Sequence, residues 1–546
     1  MKQIKTILII RLSSMGDIIL TFPVIETLKD NFPNSKIVYL TKNKYTDLLR
    51  NHPQIDCLVE LDSEGKHKNV SGFVTLIKEL NGFDFDLIID LHANLRSFFV
   101  RRLVRGKIKF KYKKRGIQRF LIVHCKFLKI KSKHTVDLYL DLLKRSQSRV
   151  STSGLIDSSN RIPKYYLEEK SKGFAQQFLK DRGWKNEILI GMAPGARWET
   201  KIWDKETFAE TGKILSEKLS AKILLCGDEN DREAIEWISN FLGKDKNVHA
   251  LNLPLNHLAG VIHRCKVFIS NDTGLMHLAS SLSVPTIAIF GPTHPKLGFA
   301  PLGLMDRVLM VGEKCSPCSL HGEKQCYQDK RYCMENILPS DVVGIVERLL
   351  KNQKVVFIDR DGTLVEEKHF LSKVEEVNFI PGSIEAVKTF KGVGYKVVAI
   401  SNQSGVGRKI LTEKMVETIS DYIQSELTKK GARLDGNYYC PHHPDDNCAC
   451  RKPEAGLLKK ASEQLNLDLN DAIIVGDKLS DVLLGKRIGA KTILVLTGYG
   501  KGELEKIQSN SKESQFLKPD FVGKDLLDAS LWIKKLNLES KILQPK

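Results

Sequence analysis

Short apolar segments alternate with amphipathic segments over the first 350 residues. KTILIIR, KIVYLT, CLVELD and FDLIIDLH are strand-like, and a helix is predicted from about Asp17 to Asn31. The same alternation returns from about residue 187 in EILIGMAPG, AKILLCGD, KVFISND and TIAIFGPT. Alternating strands and helices indicate parallel, doubly wound sheets. We therefore predict an α/β fold with two Rossmann-like domains, over residues 1–175 and 176–350.

A third run of alternating elements begins at KVVFIDRDGT and continues through YKVVAISNQ, AIIVGDKLSD and KTILVLTG. Each strand ends in polar, Gly-flanked residues, which is where open α/β sheets place their chemistry. The tail after about Gly500 is predicted to be helical and to end in the amphipathic segment DLLDASLWIKKL. Residues 351–546 are therefore predicted to form a third α/β domain.

Composition excludes several classes of protein. Of 546 residues, 42% are hydrophobic and 27% charged, which excludes wholly disordered and collagen-like chains. No apolar run approaches the roughly 18 residues that span a bilayer. The N-terminus meets a carboxylate early and lacks a small-residue cleavage site, so no signal peptide is predicted. We expect a cytoplasmic protein.

Positive charge is concentrated in one stretch. The net charge is +20, of which +16 falls before residue 351, and residues 96–133 hold fifteen Lys or Arg and no Asp or Glu. Apolar and aromatic residues interleave these cations. Such a stretch suits a polyanion, which could be nucleic acid, an anionic membrane surface or a phosphorylated glycolipid. A solvated basic face is the alternative, and charge alone does not decide between them.

Two carboxylates follow the strand KVVFI in the pattern DxDGT. Asp359 and Asp361 would supply a nucleophile for phosphorus and an acid for the leaving group. Three further strand-end residues follow in order: Ser401 to hold a phosphoryl oxygen, Lys452 to offset its charge, and Asp477. A DxD pair alone is more often a turn or a cap, but the ordered set indicates a phosphatase.

Two metal sites are predicted in this third domain. Asp359, Asp361 and Asp477 form an oxygen-only set that suits Mg²⁺. Three thiols and one imidazole lie close together in CPHHPDDNCACRKP, namely Cys440, His442, Cys448 and Cys450. Four such ligands would close a tetrahedral, structural Zn²⁺ site, and a metal-free cysteine loop is the alternative.

These motifs resemble the haloacid dehalogenase (HAD) superfamily over roughly residues 354–500, and within it the D-glycero-D-manno-heptose 1,7-bisphosphate 7-phosphatases. The narrower resemblance rests on SNQSGVGR and on the cysteine loop. It implies a zinc-bound loop in place of a large cap. The residues that it implies for substrate contact are Ser401, Asn402, Gln403, Arg451, Lys452 and Lys478.

Asp481 is implied to orient neighbouring groups rather than to contact substrate. One departure is that only five residues separate His442 from Cys448, fewer than in some members, which bears on the shape of the specificity loop. Histidinol-phosphate phosphatases share these motifs and remain the main competing assignment.

Three motifs occur in order in the first two domains. SSMGD places Asp17 at a helix start, where capping is the alternative role. PGARWETKIW follows a strand and carries Lys201, and NDTGLMHLA carries Asp272, Thr273, Gly274 and His277. A small-residue loop at a helix start with a nearby lysine suits a diphosphate. His277 is equally compatible with a core histidine.

Together these motifs resemble glycosyltransferase family 9, the ADP-heptose:lipopolysaccharide heptosyltransferases. The resemblance implies a GT-B fold, with the acceptor on the first domain and the nucleotide sugar on the second. It implies that Asp17 is the general base and that Lys201, Asp272, Thr273, Gly274 and His277 hold ADP-heptose. Glu229 is a weaker candidate for the nucleoside, and no metal is needed for transfer. Ala196 and Arg197 stand where some members carry hydroxyl side chains, which bears on donor contacts.

Four more thiols, Cys315, Cys318, Cys326 and Cys333, have a spacing that could bind a second Zn²⁺. Reduced, metal-free cysteines are the alternative. Both resemblances point to heptose, so the leading hypothesis is a bifunctional enzyme of lipopolysaccharide core synthesis. Its partners would be ADP-heptose, heptose bisphosphate and a lipopolysaccharide inner-core acceptor, and the enzyme would be peripheral to the inner membrane of a Gram-negative-type bacterium.

Two alternatives remain. The same folds could act on another nucleotide sugar and another small phosphate ester, such as histidinol phosphate. A basic nucleic-acid-binding protein with a regulatory phosphatase domain is the third hypothesis, although no nucleic-acid module is recognisable and no nucleic-acid partner is expected. The sequence leaves the oligomeric state open.

Overall fold

The computed structural model describes residues 4–126, 130, 132–150, 161–509 and 517–542. The chain divides into two compact units, residues 1–350 and 351–546. Every pairing between neighbouring strands is parallel, in all three sheets. The predicted class, α/β with parallel sheets, is confirmed.

The first unit contains two sheets. The first has the order β3-β2-β1-β4-β5 and the second has the order β11-β10-β9-β6-β7-β8. The strands of the first sheet are β1 Thr6–Ile10, β2 Lys36–Lys42, β3 Cys57–Leu61, β4 Phe85–Asp90 and β5 Gly106–Lys111. Those of the second are β6 Leu189–Ala193, β7 Lys222–Gly227, β8 Asn247–Leu251, β9 Val267–Asn271, β10 Thr286–Ile289 and β11 Arg307–Leu309.

Helices connect these strands and cover both faces of the sheets. Their bounds are Met15–Ile19, Phe22–Asn31, Val70–Leu80, Leu95–Leu103, Gly116–His124, Thr135–Val150, Glu169–Asp181, Lys205–Leu219, Arg232–Leu242, Leu255–Ile262, Gly274–Ser281, Tyr332–Glu335 and Pro339–Leu350. One buried apolar cluster runs from the first sheet to the second and includes Ile7, Phe22, Tyr139, Leu179 and Phe268. The two sheets therefore share a core.

The second unit has one sheet with the order β14-β13-β12-β15-β16-β17. Its strands are β12 Gln353–Ile358, β13 Lys396–Asn402, β14 Gly436–Cys440, β15 Leu467–Gly476, β16 Lys491–Val495 and β17 Phe521–Gly523. Its helices are Ser383–Gly392, Ser404–Gly407, Glu413–Lys429, Gly456–Leu465, Leu479–Ile488, Gly500–Ser509 and Leu526–Ile542. Because β12 lies between β13 and β15, the carboxyl ends of these three strands meet at one edge.

The structure corrects three local predictions. The helix predicted from Asp17 to Asn31 is two helices, because Pro23 begins a new first turn, where its missing N–H costs no hydrogen bond. β5 lies inside the basic stretch, where no strand was predicted. β17 adds a short strand to a tail predicted to be helical. In the described part of the chain, no helix combines the length and apolarity needed to cross a membrane.

Candidate active sites

A cavity of about 490 Å³ lies in the first unit between the helices that follow β1 and β9. Six residues predicted from the sequence line it, namely Asp17, Lys201, Asp272, Thr273, Gly274 and His277. They come from three segments that lie up to 260 residues apart, and the two sheets bring them together at the carboxyl ends of their strands. This is where a doubly wound fold binds ligands.

Asp17 has a capping role and also lines this cavity. Its Oδ2 accepts a hydrogen bond from Ser14 Oγ at 2.8 Å and a longer one from Ser14 N at 3.4 Å. The same oxygen lies 2.7 Å from Arg11 Nη2. These contacts all fall on Oδ2, so the carboxylate is fixed by one oxygen, and Oδ1 carries none of them.

Arg11 keeps this carboxylate ionised. Burial alone would raise the pKa of Asp17, but the Arg11 guanidinium and the Ser14 hydrogen bonds together lower it below its ordinary value. Arg11 is itself buried, and it donates to the Leu91 and Ser13 carbonyls at 2.7 Å and to Tyr139 Oη at 2.9 Å. The guanidinium therefore has a fixed position beside Asp17.

Two glycines allow the helices on either side of the cavity to touch. A Cβ on Gly16 would lie 2.5 Å from His277 Cδ2, and one on Gly274 would lie 3.0 Å from Met15 Sδ. His277 is buried, which lowers its pKa, and its ring packs on the helix that carries Asp17. His277 thus has both of the predicted properties, since it is a packed histidine and also lines the cavity.

Lys201 and Asp272 form an ion pair of 2.6 Å on the opposite side of the cavity. Thr293 Oγ1 donates to the same Asp272 oxygen at 2.8 Å. Behind them, the buried Asn271 side chain donates to the Pro194 carbonyl at 2.8 Å and accepts from Trp203 N at 3.1 Å. Asn271 therefore ties the loop of Lys201 to the end of β9.

Glu229 lies elsewhere. Its carboxylate is largely exposed and pairs with Arg232 at 2.6 Å in the loop after β7. It is not among the residues that line the cavity. Its role in binding the nucleoside stays a prediction.

In the second unit, the predicted phosphatase residues meet at the carboxyl ends of β12, β13 and β15. Lys452 Nζ lies 2.8 Å from Asp359 Oδ1 and 2.7 Å from Asp481 Oδ1, and it donates to the Ile400 carbonyl at 3.0 Å. Burial would lower the pKa of Lys452, but the two carboxylates raise it. Lys452 is thus a buried, charged ammonium beside the predicted nucleophile.

Asp361 faces away from this ammonium. Arg360 Nε and Nη2 each donate to one of its oxygens at 2.9 Å, and Gln403 Nε2 donates to Oδ2 at 2.7 Å. Gln403 Nε2 also lies 3.2 Å from Ser401 Oγ. Gln403 therefore links the predicted acid to the predicted phosphate-binding serine.

Comparisons with known proteins agree with this geometry. The family model for glycosyltransferase family 9 (heptosyltransferase) matches residues 73–329, and a HAD-hydrolase-like model matches residues 449–529. The D-glycero-beta-D-manno-heptose-1,7-bisphosphate 7-phosphatase of Pasteurella multocida is 41% identical over 167 residues, which are 29% of this chain and 90% of that protein. The chain belongs to this phosphatase family.

Two further matches extend the comparison. The Helicobacter pylori (strain J99) protein described by the same name is 39% identical over 150 residues, covering 27% of this chain and 86% of that protein. The crystal structure of a glycosyltransferase family 9 protein from Veillonella parvula has a TM-score of 0.54 at 24% identity, covering 63% of this chain and 97% of that one. The chain thus joins a first unit that matches the glycosyltransferase family 9 model to a phosphatase unit.

The carboxylates of the phosphatase unit fit a divalent cation. Asp359, Asp477 and Asp481 offer oxygens that all lie within 4.8 Å of one another. Asp477 Oδ1 is buried without a hydrogen-bond partner among the described residues, and burial together with Asp359 raises the pKa of Asp477 to about 8. A bound cation would stabilise this uncompensated carboxylate. Two of the predicted Mg²⁺ ligands, Asp359 and Asp477, belong to this group.

The third predicted Mg²⁺ ligand, Asp361, stays a prediction. The Asp361 side chain is not part of the carboxylate group, because Arg360 and Gln403 hold it on the other side. Asp481 takes its place in the group.

Around this centre, the structure separates residues that can reach substrate from residues that position others. The Asn402 side chain makes two hydrogen bonds with the backbone of Lys452, at 2.9 and 3.1 Å. Lys478 Nζ pairs with Glu367 at 2.8 Å. Arg451 Nη1 is a buried donor without a partner among the described residues, so it is free to bind an anion.

The cysteine loop of the phosphatase unit has the geometry of a metal site. The Cys440, Cys448 and Cys450 sulfurs lie 3.2–3.4 Å from one another, and His442 Nδ1 lies 3.2 Å from Cys450 Sγ and 3.5 Å from Cys440 Sγ. These separations are far longer than a disulfide and close to the edges of a small tetrahedron. The four predicted ligands therefore fit Zn²⁺.

The other four cysteines lie near enough to interact electrostatically, but less tightly than those of the phosphatase loop. Among the described residues, Cys315, Cys318, Cys326 and Cys333 form no compact group of metal ligands, and all four are free thiols. Their segment packs instead on the loop of Lys201, since Thr200 N donates to the Glu323 carbonyl at 3.2 Å. It also supplies His321 to the cavity. The possible second zinc site stays a prediction.

Sequence reasoning missed Arg11, Arg360 and His321. Arg360 stands between the two aspartates of DRDGT, so its position in the motif was a usable signal. Arg11 lies six residues before Asp17, so its position was also a usable signal, whereas His321 had none, because its segment joins the cavity from far along the chain.

Proposed function

We propose that the phosphatase unit hydrolyses the 7-phosphate of D-glycero-D-manno-heptose 1,7-bisphosphate and that the transferase unit moves heptose from ADP-heptose to a lipopolysaccharide inner-core acceptor with inversion. The observation that carries the proposal is the 41% identity to a heptose-bisphosphate phosphatase over 90% of that relative, with the motif residues assembled at one sheet edge. The match of the transferase unit to the family 9 (heptosyltransferase) model supports the second proposed activity.

In the proposed hydrolysis, an Asp359 oxygen attacks phosphorus and the bond from phosphorus to the sugar oxygen breaks. Asp361, held by Arg360 and Gln403, gives its proton to that leaving oxygen. A water molecule then attacks the phosphoaspartate, Asp361 takes the proton of that water, and inorganic phosphate leaves. Lys452 stays charged beside Asp359 and offsets the charge of the phosphoryl oxygens. Mg²⁺ held by Asp359 and Asp477 would supply further positive charge there.

In the proposed transfer, Asp17 accepts the proton of the acceptor hydroxyl as that oxygen attacks the anomeric carbon. The bond to ADP breaks on the opposite face of the sugar, which inverts the configuration. Lys201 lies where its ammonium can approach the leaving diphosphate, next to the start of the helix Gly274–Ser281, whose N–H groups favour an anion. We further propose that the enzyme works at the cytoplasmic face of an inner membrane.

The decisive experiment measures phosphate release from D-glycero-D-manno-heptose 1,7-bisphosphate, in both anomers, against histidinol phosphate. We expect Mg²⁺-dependent release of one phosphate from the heptose compound, and none from the Asp359→Asn variant. Turnover of histidinol phosphate alone would overturn the proposed substrate.

The transferase is tested separately, by release of ADP from ADP-heptose. This release should require a lipopolysaccharide inner-core acceptor. Release of ADP that is independent of acceptor, or transfer from other nucleotide sugars only, would contradict this half of the proposal.

A further inference from the structure

The helix Leu95–Leu103 exposes an apolar stripe. Leu95, Phe98, Phe99 and Leu103 follow one another at helical spacing and are 74, 44, 45 and 51% exposed. A surface helix of a globular protein normally turns such a stripe towards the core. Here the core contacts of the segment are made by other residues: Val100 and Val104 pack on the first sheet with Leu8 and Ile88.

A second helix extends this apolar surface. Val70 and Val74, at the start of the helix Val70–Leu80, are 81 and 45% exposed. Val70, Leu95 and Phe99 line one shallow groove of about 550 Å³. At their other ends the two helices are joined by Asn81, which accepts from Arg105 N at 2.6 Å. The helices therefore present one continuous face, which we call the apolar face: Val70, Val74, Leu95, Phe98, Phe99 and Leu103.

Cations surround the apolar face. Lys68 and Arg96 line the groove, and Arg102 and Arg105 are exposed at the end of the helix Leu95–Leu103. The helix Leu95–Leu103 and the residues that follow it up to Lys133 contain no carboxylate. Arg101 is turned inward, where it lies 3.5 Å from Asp90 and over the Phe98 ring.

We propose that the apolar face and its cations dock the protein on an anionic lipid bilayer. Exposed Phe and Leu side chains enter the boundary between headgroups and acyl chains, while Arg and Lys pair with anionic headgroups. A nucleic-acid backbone would match the cations but leave the aliphatic side chains uncovered. A second copy of this chain would bring the same cations against one another across a two-fold axis.

The position of the apolar face suits the proposed transfer. Both helices begin at the carboxyl edge of the first sheet, as does the helix that carries Asp17, and His92 of the cavity lies just before Leu95. A bilayer at this edge would bring a lipid-linked acceptor towards the cavity. This step rests on the proposed function, whereas the docking itself does not.

Flotation of the full-length protein with vesicles tests the proposal. One set is phosphatidylcholine alone, and the other contains about one third phosphatidylglycerol. We expect at least tenfold tighter binding to the anionic vesicles, reduced by high salt. The triple variants Leu95→Ser/Phe98→Ser/Phe99→Ser and Arg96→Gln/Arg102→Gln/Arg105→Gln should each weaken binding at least tenfold.

Matched controls change exposed residues of the same unit outside the apolar face. Val308→Ser/Phe241→Ser/Leu338→Ser and Lys180→Gln/Lys213→Gln/Lys244→Gln should bind within twofold of the unchanged protein. Release of phosphate by the second unit, and transfer to a delipidated soluble acceptor, should be unchanged in all four variants. If the unchanged protein does not transfer heptose to the delipidated soluble acceptor, that result contradicts the proposed function and not the docking.

Three results would overturn the docking proposal. The first is an unchanged protein that floats with neither vesicle. The second is a pair of variants that bind as the unchanged protein does. The third is a dimer, measured by light scattering, that the apolar variant converts to a monomer without any loss of vesicle binding, since a second copy would then occupy the apolar face.

Discussion

At the scale of single residues, both sites depend on a buried cation beside an aspartate. Arg11 holds Asp17 through one oxygen, and Lys452 lies between Asp359 and Asp481. In each case burial and charge act in opposite directions on the pKa of the acidic or basic group, and the neighbouring charge prevails. The neighbouring charges therefore keep Asp17 and Lys452 in their charged forms at neutral pH.

Replacing Arg11 should change the pH dependence of transfer. Transfer requires ionised Asp17, so the rate falls as pH drops through the pKa of Asp17, which Arg11 holds below its ordinary value. Arg11→Gln removes the largest of the causes that lower this pKa, so the pKa should rise and the acid limb of kcat/KM should move to higher pH. Asp17→Asn should lose about 10²–10⁴-fold in kcat and lack this limb.

The matched control is Arg50→Gln, because Arg50 pairs with Asp47 at the surface at 3.3 Å. It should leave the profile as it is. An acid limb that stays in place in Arg11→Gln would show that Arg11 does not govern the ionisation of Asp17.

Removing the Lys452 charge should destabilise the phosphatase unit. Lys452→Met leaves Asp359 and Asp481 buried and uncompensated, and loss of one partner of a buried pair costs about 3–5 kcal/mol. Adding Asp481→Asn should recover part of that free energy of unfolding without restoring phosphate release. Hydrogen exchange of the amides in β12 and β15, followed by mass spectrometry, measures both effects, and equal protection in all variants would contradict them.

At the scale of elements, the cysteine loop positions residues that follow it directly. Arg451 and Lys452 come immediately after Cys450, and Lys452 N donates to the Asn402 side chain at 2.9 Å. A metal that fixes the loop therefore also fixes the start of the segment that reaches Asp359.

We expect elemental analysis of protein purified without a chelator to find at least one zinc ion per chain. Cys448→Ser should lower the zinc content and slow phosphate release, because the loop loses a ligand. Cys57→Ser, which changes a free cysteine of the other unit, is the control and should change neither quantity. Zinc-free protein with full phosphatase activity would contradict the predicted zinc site.

The elements also show how much the sequence could predict. Strands such as β1 and β12 were predicted because they are continuous apolar runs before a motif, and Asp17 and Asp359 followed from them. The sequence prediction lacks β5. Its residues do alternate, with Lys107, Lys109 and Lys111 between Ile108 and Phe110, but the lysines were interpreted only as part of the basic stretch. The orientation of Asp361 could not be predicted, since it depends on whether Arg360 pairs with Asp359 or with Asp361 in the folded chain.

At the scale of the whole molecule, two compact units carry the two separate sets of residues that we propose to be catalytic. Asp359→Asn should abolish phosphate release and leave ADP release intact, whereas Asp17→Ala should do the reverse. Both activities are measured on the same preparation of the full chain, so each variant serves as the control for the other. Loss of both activities in either variant would contradict two independent sites.

The strands at the borders of the sheets bear on how the protein behaves at high concentration. β11 and β17 are only three residues long, and β5 carries exposed Lys107 and Lys111 along an unpaired side. A short or lysine-bearing border gives another chain little backbone to pair with, so these sheets resist joining edge to edge. Part of the basic stretch therefore protects against aggregation, and neutralising the β5 lysines would expose a six-residue strand to that risk.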